Sequence, residues 1–434
     1  MPDTVTEPGR PKKRVIALGG GGPVAGFHIG ALEALEDVGV NFDIWSLSCI
    51  GAWVGVVYHQ LPAPNRASRT YEFFKEHAFR DTASYRGFPV NKAFAPNLTA
   101  FSQAWLRHCQ NPQTWQDVFS FGHDLPAAAQ AWATFLQTPA RWLSEGDRHA
   151  HVLNNVLAVN PLSRFMTSLA FMSEVNGLSN IHYDDSTFLQ GLDVASLDLI
   201  AGRDLDDLSR QQLALLARDY TPQQVTPTQA AVPEIYHNAW RCATGGEPGR
   251  LELFNNKWLR YWNRKPGEGR RDYLPITRPS LCACSALPYI EQTVKIPNDD
   301  GRDYSEGALV DTVNFQNLVE DHPDLDEIWV CRIVDYRQVR KPDNLHDSLG
   351  NLCQQFAAEV GENDIKLFKT HLRKSAGRTP RVVEIPLPQK SDLRYRWDHE
   401  TLDLGREEGR RAVVRLLQAH PDLAQRTTRA PAWA

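Results

Sequence analysis

No stretch of the chain approaches eighteen consecutive apolar residues, so no membrane-spanning helix is expected, and any contact with a bilayer would be peripheral. There is no excess of positive charge: 47 Lys and Arg stand against 52 Asp and Glu, a formal net charge of −5. Despite the local patches Lys12-Lys13-Arg14 and Arg270-Arg271, this removes the electrostatic basis for holding a phosphate backbone, and no nucleic acid partner is expected. The seven cysteines (Cys49, Cys109, Cys242, Cys282, Cys284, Cys331, Cys353) lack the paired spacing of a disulfide framework or a zinc site. No metal site is expected and no cofactor is assigned, and thiols left reduced point to the cytoplasm. Repeats, low-complexity blocks and an apolar leader are also missing. Residues 1–13, with three prolines and mixed charge, read as a flexible tail, and residues 426–434 as another.

What is present is ordinary globular composition, 42% hydrophobic and 23% charged over 434 residues, enough for one large core or two modest ones. The organising stretch runs from Arg14 to Val57. Val15-Ile16-Ala17-Leu18 reads as a buried strand and is followed by four glycines, Gly19 to Gly22. Phe27, Ala31, Leu32, Leu35 and Val38 then recur at helical spacing up to a stop at Gly39. Phe42 to Trp45 supplies a second strand, and Gly51 to Tyr58 a second helix after a sharp turn. A strand, a helix and a parallel strand form a βαβ unit, so both loops fall at the carboxyl ends of their strands.

From about residue 60 to 273 the texture changes to long polar and aromatic stretches, with Trp105, Trp115, Trp132, Phe135 and Trp142 at helical spacing. Segments Val152–Val175 and Asp204–Leu216 also look helical, so this region is expected to be a large helical insertion in an α/β domain spanning residues 14–425. Its tryptophans are read as core in preference to a lipid- or substrate-facing cap. Alternation of strand and helix signals resumes with Leu281–Pro288, Gln292–Ile296, Tyr304–Val310, Ile328–Ile333 and Val382–Ile385, and a closing helix is expected over Leu402–Gln418.

Consecutive glycines after a strand free backbone N–H groups to converge on one point, where the following helix adds its partial positive charge. Such a cradle suits a phosphate or an oxyanion. The phosphate patterns fail on spacing, because Gly-Lys-Ser/Thr is missing and Val24 and Ala25 stand where a third glycine belongs. A looser Gly20-x-Gly22-x3-Gly26 leaves a dinucleotide-binding enzyme as a minor alternative, with Asp43 as its acidic candidate. The second loop favours the oxyanion. A nucleophile elbow needs a small residue two positions after the nucleophile, which Gly51 and Ala52 provide for Cys49 and Ile50 denies to Ser48.

On these residues the sequence resembles the patatin-like phospholipase family. The family's glycine loop is similar to Gly20-Gly21-Gly22 through Gly30, and its Gly-x-Ser-x-Gly-Ala elbow aligns without a gap onto Leu47-Ser48-Cys49-Ile50-Gly51-Ala52. Its Ala-Ser-x-Ala-x-Pro segment resembles Ala283 to Pro288, and its Asp-Gly-Gly/Ala motif resembles Glu306-Gly307-Ala308. The resemblance implies a three-layer α/β fold with a mostly parallel central sheet flanked by helices. It also implies a two-residue catalytic dyad without metal, and an oxyanion hole from the backbone of Gly20, Gly21 and Gly22. Carried over position by position, the nucleophile is Cys49 where the family has serine, and its partner is Glu306 where the family has aspartate.

The implied activity is acyl hydrolysis or acyl transfer from a lipid-like donor through an acyl-Cys49 intermediate. Sulfur chemistry adds acyl-CoA or acyl-carrier protein to lipid esters as candidate donors. Cys49 is expected at a helix N-terminus, where a thiol pKa falls below its reference of about 8.5, and Glu306 retains a carboxylate that orients or deprotonates it. Leu47 and Val24, in place of the elbow's first glycine and the loop's basic residue, threaten to narrow the site. The alternative is a catalytically inactive lipid- or protein-binding module of the same fold. Asp303 and Asp311 flank Glu306, but only Glu306 precedes Gly-Ala; His28 is expected to face solvent or packing.

Overall fold

The computed structural model describes residues 12–81, 95–119, 175–180, 186–200, 203–221, 231–262, 273–343, 345–374, 379–388 and 393–424, with isolated positions between them. The chain forms two compact units, one from residues 1–95 and 179–434 and the other from residues 96–178.

The larger unit is built on an eight-stranded sheet. Its strands are β1 (Arg14–Leu18), β2 (Ile44–Leu47), β3 (Glu234–Arg241), β4 (Arg250–Asn255), β5 (Val294–Ile296), β6 (Arg302–Glu306), β7 (Glu327–Cys331) and β8 (Arg381–Glu384). The helices of this unit named below are α1 (Ala25–Asp37), α2 (Ile50–Gln60) and α3 (Arg66–His77), and after the second unit α6 (Arg210–Asp219), α7 (Arg278–Cys284), α8 (Phe315–Asp321), α9 (Leu345–Lys374) and α10 (His399–Ala419). Strand order is β8-β7-β1-β2-β3-β6-β5, with β4 also paired to β3. The run from β8 to β3 is parallel, and β4, β6 and β5 add antiparallel pairs. The expected mostly parallel sheet flanked by helices is what the chain forms. β1 and β7 are buried at every position, as strands covered on both faces must be, which is why they read as continuous apolar runs.

One part of the sequence reading is overturned. Residues 60–273 are not all helical insertion, because β3 and β4 lie inside those bounds and β3 is a central strand. β3 was hidden because polar Glu234, His237, Asn238 and Arg241 are buried alongside Ile235, Tyr236 and Ala239. The Glu234 carboxylate accepts from Tyr236 and Asn255, His237 meets the Ser280 hydroxyl at 2.9 Å, and Asn238 donates to Asp311 O and Asn314 Oδ1. Polar groups held by such bonds can be buried without the alternation that marks a strand, although His237 Nδ1 and Asn238 Oδ1 keep no partner among the described residues.

Helix α6 starts at Arg210, later than Asp204, because Ser209 and Gln212 form a reciprocal capping box. The Val152–Val175 segment lies almost entirely outside the described residues, as do Trp132, Phe135 and Trp142. In the smaller unit, α4 (Leu98–Gln110) and α5 (Pro112–Phe119) carry Trp105 and Trp115, and these are exposed (44% and 39%), contrary to the core reading. Both rings pack on Phe165, and Trp115 also stacks on Phe119.

At the amino end of β1, Arg14 is fully buried and its Nε donates to Glu327 Oε2 at 2.8 Å, while Lys12 Nζ and Trp329 Nε1 donate to the same carboxylate. Removing one partner of such a pair leaves an uncompensated buried charge. Glu327→Ala is expected to lower stability by about 3–5 kcal/mol, read as a lower urea midpoint at unchanged slope.

Candidate active site

The strand register assembles the site before any side chain is considered. Leu18 pairs with Leu47, so the glycine loop and the elbow leave adjacent parallel strands at one level. His237 pairs with Leu47 and, two residues further, Ala239 pairs with Glu306 on the antiparallel β6. Glu306 therefore arrives at the height at which the chain leaves β2 toward Cys49.

Cys49 takes φ 51° and ψ −126°, a conformation that costs a non-glycine residue energy and turns its side chain out of the strand. The turn works only if α2 passes close over β1. A methyl on Gly51 would overlap the Leu18 carbonyl, which is why a small residue stands there. Ser48 points elsewhere, its hydroxyl donating to Thr312 O at 2.8 Å.

The Cys49 thiol and the Glu306 carboxylate interact, and Gly20 fits beside the pair: a methyl there would lie 3.1 Å from Cys49 Cβ and 3.7 Å from Glu306 Oε1. The Cys49 N–H donates to Cys284 Sγ at 3.1 Å. Gly21 and Gly22 have φ of 152° and 50°, conformations that glycine adopts without a side-chain penalty. In the loop's own backbone bonding, Gly19 donates to Cys331 O and Val24 to Gly21 O. The amides of Gly20 to Gly22 are the loop's remaining donors.

The electrostatics reverse one expectation. Burial pushes the Cys49 thiol well above its ordinary pKa, and the neighbouring Glu306 carboxylate pushes it further, so the thiol is protonated and not a preformed thiolate. Burial likewise raises Glu306 to about 7, partly offset by its interaction with Cys49. His28 is fully buried, lies 2.8 Å from Gly19 O and 3.2 Å from Cys331 Sγ, and is pushed down to about 4 by burial. It is a neutral group bracing the loop from within.

These residues line a cavity of about 60 Å³. Gly20, Gly21, Gly22, Cys49 and Glu306 all border it. Leu47 and Val24 do not: both are buried, and Leu47 fills the space beside Gly55 of α2. Asp303 and Asp311 are also off the cavity, and Asp311 caps the turn into α8 by accepting from Val313 N and Asn314 N. Sequence reasoning missed several lining residues. Ser285 and Glu291 lie in or near the segment singled out around Ala283–Pro288, whereas Cys353, Tyr395 and Trp397 come from α9 and the stretch before α10, where no motif pointed. Gly22 is shaped to Tyr395, since a methyl on it would come 2.8 Å from the phenol oxygen.

The weak dinucleotide pattern is taken up by internal packing. A methyl on Gly26 would overlap the Leu402 backbone of α10, and Asp43, which precedes β2, accepts from Arg14 N at 2.9 Å.

Comparison with known families gives a match over residues 16–319 to the one described as "Patatin-like phospholipase". Comparison with curated proteins gives no match. Among solved structures, the chain is similar to VipD from Legionella pneumophila, at 12% identity and a TM-score of 0.35, over 96% of this chain and 70% of that one. No helix among the described residues is long and apolar enough to cross a membrane.

Proposed function

The chain belongs to the patatin-like phospholipase family, whose members are typically lipid acyl hydrolases, and from that premise we propose that it transfers acyl groups from a lipid-like donor through an acyl-Cys49 intermediate. The observation that carries this reading is the placing of the Cys49 thiol and the Glu306 carboxylate together beside the glycine loop, on the wall of one cavity. In the ionised form Glu306 takes the thiol proton as sulfur attacks the acyl carbon, so the nucleophile is made during attack. The carbonyl oxygen becomes an oxyanion facing the amides of Gly20 to Gly22; each such donor is worth roughly 3 kcal/mol of transition-state stabilisation. Glu306 returns the proton to the departing alcohol or thiol. Water or another acceptor then attacks the thioester, gives its proton to Glu306, and releases Cys49, which recovers its hydrogen from the same carboxyl.

Candidate donors are lipid esters and, because a thiol exchanges thioesters like for like, acyl-CoA or acyl-carrier protein. A cavity of about 60 Å³ has room for about two waters. An acyl chain therefore enters only as side chains such as Cys353, Ala357 and Tyr395 move aside. The same small volume, with a protonated thiol, favours a second reading, an inactive lipid- or protein-binding module with Cys49 as a packed thiol.

Intact-mass analysis after incubation with an acyl p-nitrophenyl ester and with acyl-CoA separates the two. The proposed enzyme gains the mass of one acyl group, and Cys49→Ala gains none. An unmodified native chain, or equal labelling of both, would overturn the catalytic reading.

A further inference from the structure

A second cavity, of about 220 Å³, shares Tyr395 with the reaction cavity. Its walls come from the stretch after β7, the first turns of α9, and Leu393 to Arg396. Four cations, Arg340, Lys341, Arg394 and Arg396, line it against two carboxylates, Asp343 and Asp347. Asp347 is already engaged, accepting from the Asp343 backbone N–H. Among the described residues no carboxylate pairs with the half-buried Arg396 or with the exposed Lys341 and Arg394, whereas half-buried cations elsewhere, such as Lys12, Arg278 and Arg406, are paired.

An independent observation points the same way. Gln338, on the pocket wall, accepts from Asp335 N through Oε1, while its Nε2 is buried with no hydrogen-bond partner. A buried donor without an acceptor is costly, and native structures seldom leave one without a ligand or water to meet it. Unpaired guanidinium and ammonium groups with an orphan amide make a set that contains donors and excess positive charge, the complement of a phosphate oxyanion. The volume, about seven waters' worth, holds a phosphate and the start of its ester.

We propose that this pocket binds the phosphate of a phosphate-bearing acyl donor and holds its acyl carbonyl across Tyr395, toward Cys49. The inference rests on the reading of Cys49 as the acyl acceptor only for the direction of the acyl group; the phosphate site itself stands on the pocket. Two sources share this chemistry, a glycerophospholipid and a coenzyme A thioester.

The test uses the full chain carrying Cys49→Ala, so that nothing turns over. Isothermal titration is carried out with dihexanoyl phosphatidic acid, desulfo-coenzyme A and, as an uncharged control, dihexanoylglycerol. Binding of either phosphate ester, weakened about tenfold or more by Lys341→Glu and by Arg396→Glu, supports the site, and the ester that binds identifies the source. The two substitutions lie on separate surface segments, so parallel loss in both with unchanged thermal midpoints separates lost recognition from lost folding. Failure of both phosphate esters to bind, or binding indifferent to both charge reversals, would overturn it. Acylation of the native chain without phosphate binding sinks this inference and leaves the catalytic reading intact; phosphate binding without acylation does the opposite.

Discussion

Glu306→Gln is expected to slow acylation of Cys49 by about 10²–10⁴ while leaving the protein folded. The amide keeps the size of the carboxylate and an oxygen that accepts from the thiol, but it cannot take the proton. In the native chain the acylation rate should rise with pH, reach half its plateau near the Glu306 pKa of about 7, and stay flat above it, because the thiol is pushed too high to ionise in that range. Single-turnover acylation measured from pH 5 to 9 decides between this mechanism and a preformed thiolate. A thiolate nucleophile would keep rising with the titration of sulfur and would survive Glu306→Gln with a modest loss.

The same substitution should stabilise the protein in one pH range. A carboxyl whose folded pKa is raised holds more protons folded than unfolded, so its contribution to stability is full below the unfolded value and is lost as pH rises through the folded one. For Glu306 that window runs from about 4.5 to about 7. Two further carboxyls raised to about 7 chiefly by burial, Asp198 and Asp364, add to the fall. At pH 8 the variant should exceed the native chain by an amount on the order of 3 kcal/mol, and at pH 4 the two should converge. A protein that gains stability as it loses activity is what a site built by burying a base produces. Equal stability at both pH values would mean that Glu306 is not desolvated in the folded chain.

Most of the sheet could be read from the chain wherever burial was apolar. β1 and β7 are apolar apart from Arg14 and Glu327, β8 has Val382 and Val383 at its centre, and the helices after the two loops are apolar enough to be buried along most of their length. The juxtaposition of Cys49 with Glu306 was legible only through motif resemblance, because the strand that sets their register, β3, buries Glu234, His237 and Asn238 and so breaks the apolar pattern of Ile235, Tyr236 and Ala239. The long helix α9 was overlooked for the opposite reason, since it presents Leu352, Phe356 and Leu367 to solvent and blurs its own periodicity. Local composition also misjudged the thiol. A helix N-terminus lowers a thiol pKa, but burial and a neighbouring carboxylate outweigh it, and neither is a property of the residues next to Cys49 in sequence.

Gly30→Ala is expected to abolish folding, although alanine favours a helix over glycine by about 1 kcal/mol. α1 and α10 approach so closely that their backbones touch through glycines spaced four apart on each, Gly26 and Gly30 on one and Gly405 and Gly409 on the other. A methyl on Gly30 would overlap the Arg406 carbonyl, and one on Gly409 would overlap that of Phe27. Both obstacles are backbone, so relief requires moving a 21-residue helix, not a side-chain rotation. α10 is also held by Arg406 on Glu33 and by Leu402, fully buried beneath the glycine loop's helix, so its displacement would open the core and release the loop. The loss should exceed about 4 kcal/mol, a size reserved for core overpacking and similar failures, and should show as insoluble or unfolded protein by circular dichroism. Gly361→Ala in α9 is the matched control: its methyl would meet Arg332 Cδ at 3.1 Å, part of a flexible side chain that can yield. That variant should fold and be neutral or up to about 1 kcal/mol more stable. If both substitutions are tolerated alike, the two helices are not in backbone contact, and the glycines that follow the loop need another explanation.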